Sequence, residues 1–222
     1  MTEEAQRLTA AMTLNRLICP LSEHAMVGWL GRSAIADLVG VEVEKITDDH
    51  LYRHLDTLHG HRGAIESGLV ERERSLFNLE PKVYIYDLTS TYFEGEMAEN
   101  EKAARGYSRD HRPDCKQVVI GLVMGREGFP LAHEVFKGNV KDHQTVGTML
   151  DILGKRTPLQ KGETVVIDRG MAYQDNLDEI KRRELHYIVA ARQAERNAWL
   201  NEFEELSGYV EIDRPKGVSG CG

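Results

Sequence analysis

Asp87, in YIYDLTS, and Asp168, in TVVIDRG, each follow a short apolar run of the kind that forms a buried strand. A carboxylate in such a run is costly unless something pairs with it. If two neighbouring strands carry these acids, their repulsion raises a pKa unless a cation stands between them. Hard oxygen ligands in a partly open setting favour magnesium or manganese. Two such ions, about 3.5–4 Å apart, can activate a water or a 3′-hydroxyl and stabilise the leaving oxygen of a phosphodiester. Each acid alone also has a plainer reading. Asp87 could end a strand and bond nearby backbone amides, and Asp168 could pair with Arg169 in a turn.

The elements around the acids decide whether they can meet. Residues 1–80 read as helical. SEHAMVGWL begins at Ser22, a good N-cap, and TDDHLYRHLDTL begins at Thr47 or Asp48. Leu51, Leu55 and Leu58 share one helical face, as do Ile65, Leu69 and Leu76, and both stripes are expected to be helix core. From Pro81 the pattern turns strand-like. KVYIYDLTS puts Val83, Ile85 and Asp87 on one face, and GREG joins two further strands in a hairpin. HQTVGTMLDILGKR is helical, with Val146, Met149, Leu150 and Leu153 on a stripe. The strand TVVID, a helix QDNLDEIKRREL capped by Asp175, a strand HYIVAARQ and a helix ERNAWLNEFEEL follow. Three strands, then two strands alternating with helices, predict a mixed α/β sheet flanked by helices. This is the element order of the ribonuclease-H-like fold, in which strands one and four lie side by side.

Composition narrows the class further. The 222 residues are 41% hydrophobic and 29% charged, as in an ordinary globular protein. No run approaches the ~20 apolar residues of a membrane span, and no secretory signal is visible at the start. Cys19, Cys115 and Cys221 are odd in number and far apart, which suits a reducing cytoplasm. The net charge of −8 argues mildly against nucleic acid. Between Lys102 and Lys116, however, Lys102, Arg105, Arg109, Arg112 and Lys116 outnumber Asp110 and Asp114. Such a loop can meet phosphate, or can simply be solvated.

Several long segments in order carry a resemblance. YDLTSTYFEG, RGYSRDHRPDCKQVVIGLV, GFPLAHEVFKGNVKDHQT, VVIDRGM and LHYIVAAR resemble DDE transposases of bacterial insertion sequences, specifically those with the Y-(2)-R-(3)-E-(6)-K signature. The resemblance spans roughly the whole chain and is strongest from Tyr84 to Arg192. It implies metal-dependent cutting at an element's ends, then attack of the freed 3′-hydroxyl on target DNA. Asp87 and Asp168 match the first two acids of the triad, and with them the ligands of Mg2+ or Mn2+. Arg105, Arg109, Arg112, Lys116 and Arg169 would contact DNA, with Tyr107 nearby. The implied partners are the element's terminal repeats and target DNA, with a homodimer in the full-length form and no membrane. Asn139 and Asp142 match a recurrent segment without an assigned role, and both could shape a turn. His133 and Glu134 read as structural.

One departure qualifies the match. No Arg-x-x-x-Glu follows Asp168, so the third acid is missing, and Glu195, Glu202, Glu204 and Glu205 lie on a helix without the signature. The resulting division is a helical region at 1–80 for DNA binding or dimerisation, a partial catalytic core at 81–206, and the start of an insertion or a frameshifted tail at 207–222. The ribonuclease-H-like fold is accordingly expected to be incomplete at its C-terminus, as in a truncated copy. Three readings stand: a transposase portion with two of three acids, an autonomous ribonuclease-H-like nuclease, and a non-catalytic DNA-binding or dimerising remnant.

Overall fold

The computed structural model describes residues 1–79, 82–157 and 159–190. The chain divides into two compact units, Met1–Arg72 and Glu73–Gly222. Among the described residues, no helix is long and apolar enough to cross a membrane. Cys19 and Cys115 are free thiols.

The first unit is helical. It holds α1 (Glu3–Ile18), α2 (Glu23–Leu30), α3 (Ile35–Val39) and most of α4 (Asp48–Phe77). Small hydroxyl residues start three of these helices by accepting an otherwise unpaired backbone N–H. Thr2 takes that of Ala5, Ser22 that of Ala25, and Thr47 that of His50. Leu8, Ala11, Met12, Met26, Leu30, Ala36, Ile46 and Leu51 form one buried cluster. The two leucine stripes of the sequence lie on one continuous helix, α4, and they are not uniformly core. Leu51 is buried, whereas Leu55, Leu69 and Leu76 are 38%, 54% and 71% exposed. The cluster reaches only the first turns of α4, and a stripe is buried only where another element faces it.

The second unit is built on a five-stranded sheet of order β3-β2-β1-β4-β5. Its strands are β1 (Val83–Tyr92), β2 (Gln117–Gly125), β3 (Pro130–Lys137), β4 (Thr164–Ile167) and β5 (His186–Val189). The first three form an antiparallel meander, while β4 and β5 run parallel to β1. Two helices serve as crossovers: α5 (Val146–Arg156) packs against β2 and β3, and α6 (Gln174–Arg182) against β5. This is the expected ribonuclease-H-like arrangement, with the first and fourth strands adjacent at its centre. Alternation along β1 buries Tyr84, Tyr86 and Leu88. The predicted stripe of α5, Val146, Met149, Leu150 and Leu153, is wholly buried. The helix α6 begins one residue earlier than its expected cap. Tyr173 is at the N-cap and Asp175 sits in the first turn, where its charge favours the positive end of the helix dipole. The helix expected over ERNAWLNEFEEL and the tail at 207–222 lie outside the described residues.

One end of the meander is closed by backbone meeting backbone. Ala104 and Gln117 exchange backbone hydrogen bonds of 3.1 and 3.0 Å, and Gly138 N donates to Lys102 O at 2.9 Å. The contact is so close that no side chain fits. A Cβ on Gly138 would lie 1.9 Å from Gln117 O, and one on Gly106 would lie 2.1 Å from Gly138 O. Gly154, inside α5, has open space around it. The same substitution should therefore act with opposite sign at the two places. Gly154→Ala should stabilise by about 0.5–1 kcal/mol, through helix propensity. Gly138→Ala should destabilise by about 3 kcal/mol, because backbone must move. Urea midpoints shifting in the same direction for both would contradict this packing.

Candidate active site

The acids are positioned by strand register. β1 and β4 pair as Val83↔Thr164, Tyr84↔Val165, Ile85↔Val166 and Tyr86↔Ile167. Asp87 and Asp168 are the next residues on each chain. Partners in a parallel pair project to the same face, so both acids emerge on the less covered side of the sheet. Both are exposed, whereas Tyr86, Leu88 and Ile167 beside them are buried. Asp87 does not end its strand, because β1 continues to Tyr92. Only β4 stops, and Asp168 caps the short 3-10 turn Arg169–Met171 that follows it.

Among the described residues, each carboxylate is tethered by one backbone N–H. Leu88 N donates to Asp87 Oδ1 at 2.8 Å, and Gly170 N donates to Asp168 Oδ2 at 2.8 Å. The plainer readings hold only in part: Asp87 bonds a backbone amide without ending its strand, and Asp168 bonds the Gly170 N–H rather than Arg169. These bonds leave the second oxygen of each available, and two hard oxygen donors suit a divalent ion such as magnesium. Among the described residues, no group of three or more His, Cys, Asp or Glu side chains could by itself hold a metal ion. Two carboxylates with remaining positions open to water or phosphate oxygen match the sparse protein coordination usual for magnesium.

A further carboxylate stands near Asp168. Asp142, in the turn after β3, has Oδ2 3.5 Å from the point where a Cβ on Gly170 would sit, and Asp168 Oδ2 is 3.1 Å from that point. Asp142 is anchored through its carbonyl, which accepts from Thr145 Oγ1 at 2.7 Å. Thr145 in turn accepts from the buried Tyr86 hydroxyl at 2.7 Å. Burial pushes the Tyr86 pKa well above its ordinary value, and the charges of Asp142 and Asp87 add to the effect. Tyr86 is thus a neutral hydrogen-bond donor that links the sheet to the turn. The segment GNVKDHQT was singled out in the sequence without a role, and its distance from either acid along the chain concealed this placement.

The basic residues divide into different roles. Arg109 donates to the Leu88 carbonyl and stands 3.6 Å from Asp142. Arg112 is bound to Asp114 at 2.9 Å and Glu94 at 3.3 Å, and lies over the Tyr92 ring at 4.9 Å. The Arg112 guanidinium holds the Asp114 carboxyl down at about 2. Lys116 Nζ donates to Met97 O at 3.3 Å. Arg105 and Arg169 are exposed and make no ion pair among the described residues. Tyr107 is 86% exposed, although its carbonyl is held by the Gln117 side chain at 2.9 Å. Farther along the sheet, Glu134 pairs with Lys102 at 3.4 Å, and His133 lies opposite Leu122 in the β2–β3 ladder. Asn139 is exposed beside Gly138.

Among solved structures, the chain is similar to the Mos1 transposase paired-end complex with left transposon end, at 9% identity and a TM-score of 0.35, covering 91% of this chain and 71% of that one. It is also similar to the piggyBac transposase synaptic complex with hairpin DNA, at 12% identity and a TM-score of 0.47. That match covers 87% of this chain and 42% of the piggyBac chain. A third is the Mos1 mariner paired end complex with Mn, at 11% identity and a TM-score of 0.34, covering 88% and 70%. No curated protein matches the sequence. The family model of the transposase DDE domain matches residues 78–214, more than half of the chain and all of the described sheet. The chain belongs to the transposase DDE domain family.

Proposed function

We propose that this chain carries the DNA-cutting and joining site of an insertion-sequence transposase, with Asp87 and Asp168 as its first two acids. The observation that carries the reading is the β1–β4 register, which sets both carboxylates on one face at the ends of paired segments. A magnesium or manganese ion bound there would supply Lewis acidity to a phosphodiester and lower the pKa of an attacking water or 3′-hydroxyl. The protein's own part is orientation. Leu88 N and Gly170 N each fix one carboxylate oxygen and leave the other for an ion. Asp87→Asn or Asp168→Asn removes a charged oxygen ligand and should weaken manganese binding about tenfold or more. Calorimetric titration giving equal manganese affinity for wild type and both variants would refute the shared site.

DNA is the proposed partner, through its phosphates. Arg105 and Arg169 are the cations best placed for this, since no carboxylate among the described residues neutralises them. Each phosphate contact adds about 0.9 to the slope of log affinity against log salt. Arg105→Ala with Arg169→Ala should therefore flatten the slope by nearly 2. Arg112→Ala should change it less, because Asp114 and Glu94 already share its charge. An unchanged slope in the double variant would move the contacts elsewhere, with the helices of residues 1–72 the next to test.

Activity of the 222 residues is a separate matter. The family acts through three acids, and no Arg-x-x-x-Glu follows Asp168. Glu195, Glu202, Glu204 and Glu205 lie outside the described residues. Losing a ligand loosens the geometry that orients the nucleophile, and small misplacements cost rate heavily. We expect the purified chain neither to excise nor to join end-bearing DNA in manganese. Cleavage that disappears in Asp168→Ala would overturn this expectation and direct attention to those four glutamates.

A further inference from the structure

Arg109 occupies an edge of β1 that its neighbour has vacated. Thr164 N donates to Lys82 O, so the carbonyls of residues 82, 84, 86 and 88 face β4. The ladder ends at Tyr86↔Ile167. The next carbonyl on that edge, Leu88 O, accepts instead from Arg109 Nη1. Leu88 also supplies the N–H that tethers Asp87. The second arm of the guanidinium, Nη2, stands 3.6 Å from Asp142 Oδ2, and Asp142 and Asp168 converge over Gly170. One planar fork thus spans the strand bearing Asp87 and the carboxylate adjoining Asp168.

The loop bearing Arg109 is itself held firmly. Gln117 is 2% exposed, and its side-chain nitrogen donates to Tyr107 O at 2.9 Å and Gly138 O at 2.8 Å. Asp142 is held from the other side by Thr145 and Tyr86. An arginine between two fixed supports is pre-organised, so little side-chain entropy is lost when its two contacts form.

We propose that Arg109 is a positioning residue of the Asp87–Asp168 pair, acting through the Leu88 carbonyl and the Asp142 carboxylate rather than through DNA phosphate. The inference rests on the proposed ion-binding role of those acids. It separates from a simple charge effect by sign. A cation near an ion site repels the ion, so deleting Arg109 as a mere charge would tighten manganese binding. Deleting it as a support loosens the acids and weakens binding.

The test is manganese titration of the 222-residue chain by calorimetry, with circular dichroism to confirm folding. Arg109→Ala should bind about tenfold more weakly, as when an outer partner of a ligand is lost. Arg109→Lys keeps the charge, but one ammonium cannot span both acceptors, so it should bind several-fold more weakly than wild type. Adding Asp142→Asn to Arg109→Ala should cost less than the sum of the two single changes, because both break the same contact. The inference is overturned if Arg109→Ala binds as tightly as wild type or tighter while Asp87→Asn binds more weakly. If Arg109→Ala does not fold, wild-type affinity in Arg109→Lys overturns it equally. If Asp87→Asn also leaves affinity unchanged, or wild type binds no manganese, the ion-binding reading falls first and takes the inference with it.

Discussion

The parallel pairing of β1 with the shorter β4 is the constraint on which the candidate site depends. Four register pairs align the two strands, and the ladder then ends while β1 continues for six more residues, Asp87–Tyr92. Pairing places the two acids together. The early stop frees the chain after Ile167 to form the turn that presents Asp168, and exposes an edge of β1 to a side-chain donor. A longer β4 would bury this edge in a ladder and leave no place for Arg109. A shifted register would separate the acids along the strands or send one to the opposite face.

The antiparallel meander contributes rigidity rather than chemistry. Backbone meets backbone at Gly106, Gly138, Ala104 and Gln117, and the basic loop leaves this junction in a defined direction. Loops that carry function are usually mobile and draw their position from a scaffold. Here the scaffold reaches into the loop, so Arg105, which makes no ion pair among the described residues, and Arg109, held at Leu88 and Asp142, occupy distinct settings on one acidic molecule.

Local patterns made much of this legible. The β-branched runs around Asp87 and Asp168, the stripe of α5 and the hydroxyl caps at Ser22 and Thr47 each depend on neighbours within a few residues. Together they set the element order, and the adjacency of the first and fourth strands was expected from the ribonuclease-H-like fold that this order matches. Three features depended on contacts that spacing does not encode. The leucines of α4 had the right period, yet burial of Leu69 and Leu76 required a facing element. The run of basic residues was read as one surface, but Arg112 is neutralised by Asp114, two positions away, and Arg109 is drawn to a strand 21 positions earlier. Asp142 comes close to Asp168 because the turn after β3 folds against Gly170. The helix cap expected at Asp175 lies two residues earlier, at Tyr173, since Asp and Glu are also favoured within the first turn.

The Gln117 side chain carries a consequence for how this loop can vary. Its amide nitrogen gives both of its hydrogens to carbonyl oxygens, so the position demands a donor of this reach and shape. A glutamate there would be nearly identical in volume, but it would set a carboxylate oxygen against two carbonyl oxygens in a buried place. Exchange of one nitrogen for one oxygen, the change that spontaneous deamidation makes, would turn the latch of the loop into a repulsion. The junction is thus tolerant of neither bulk at its glycines nor chemical ageing at its glutamine, and its failure would release the basic loop while leaving the strands intact.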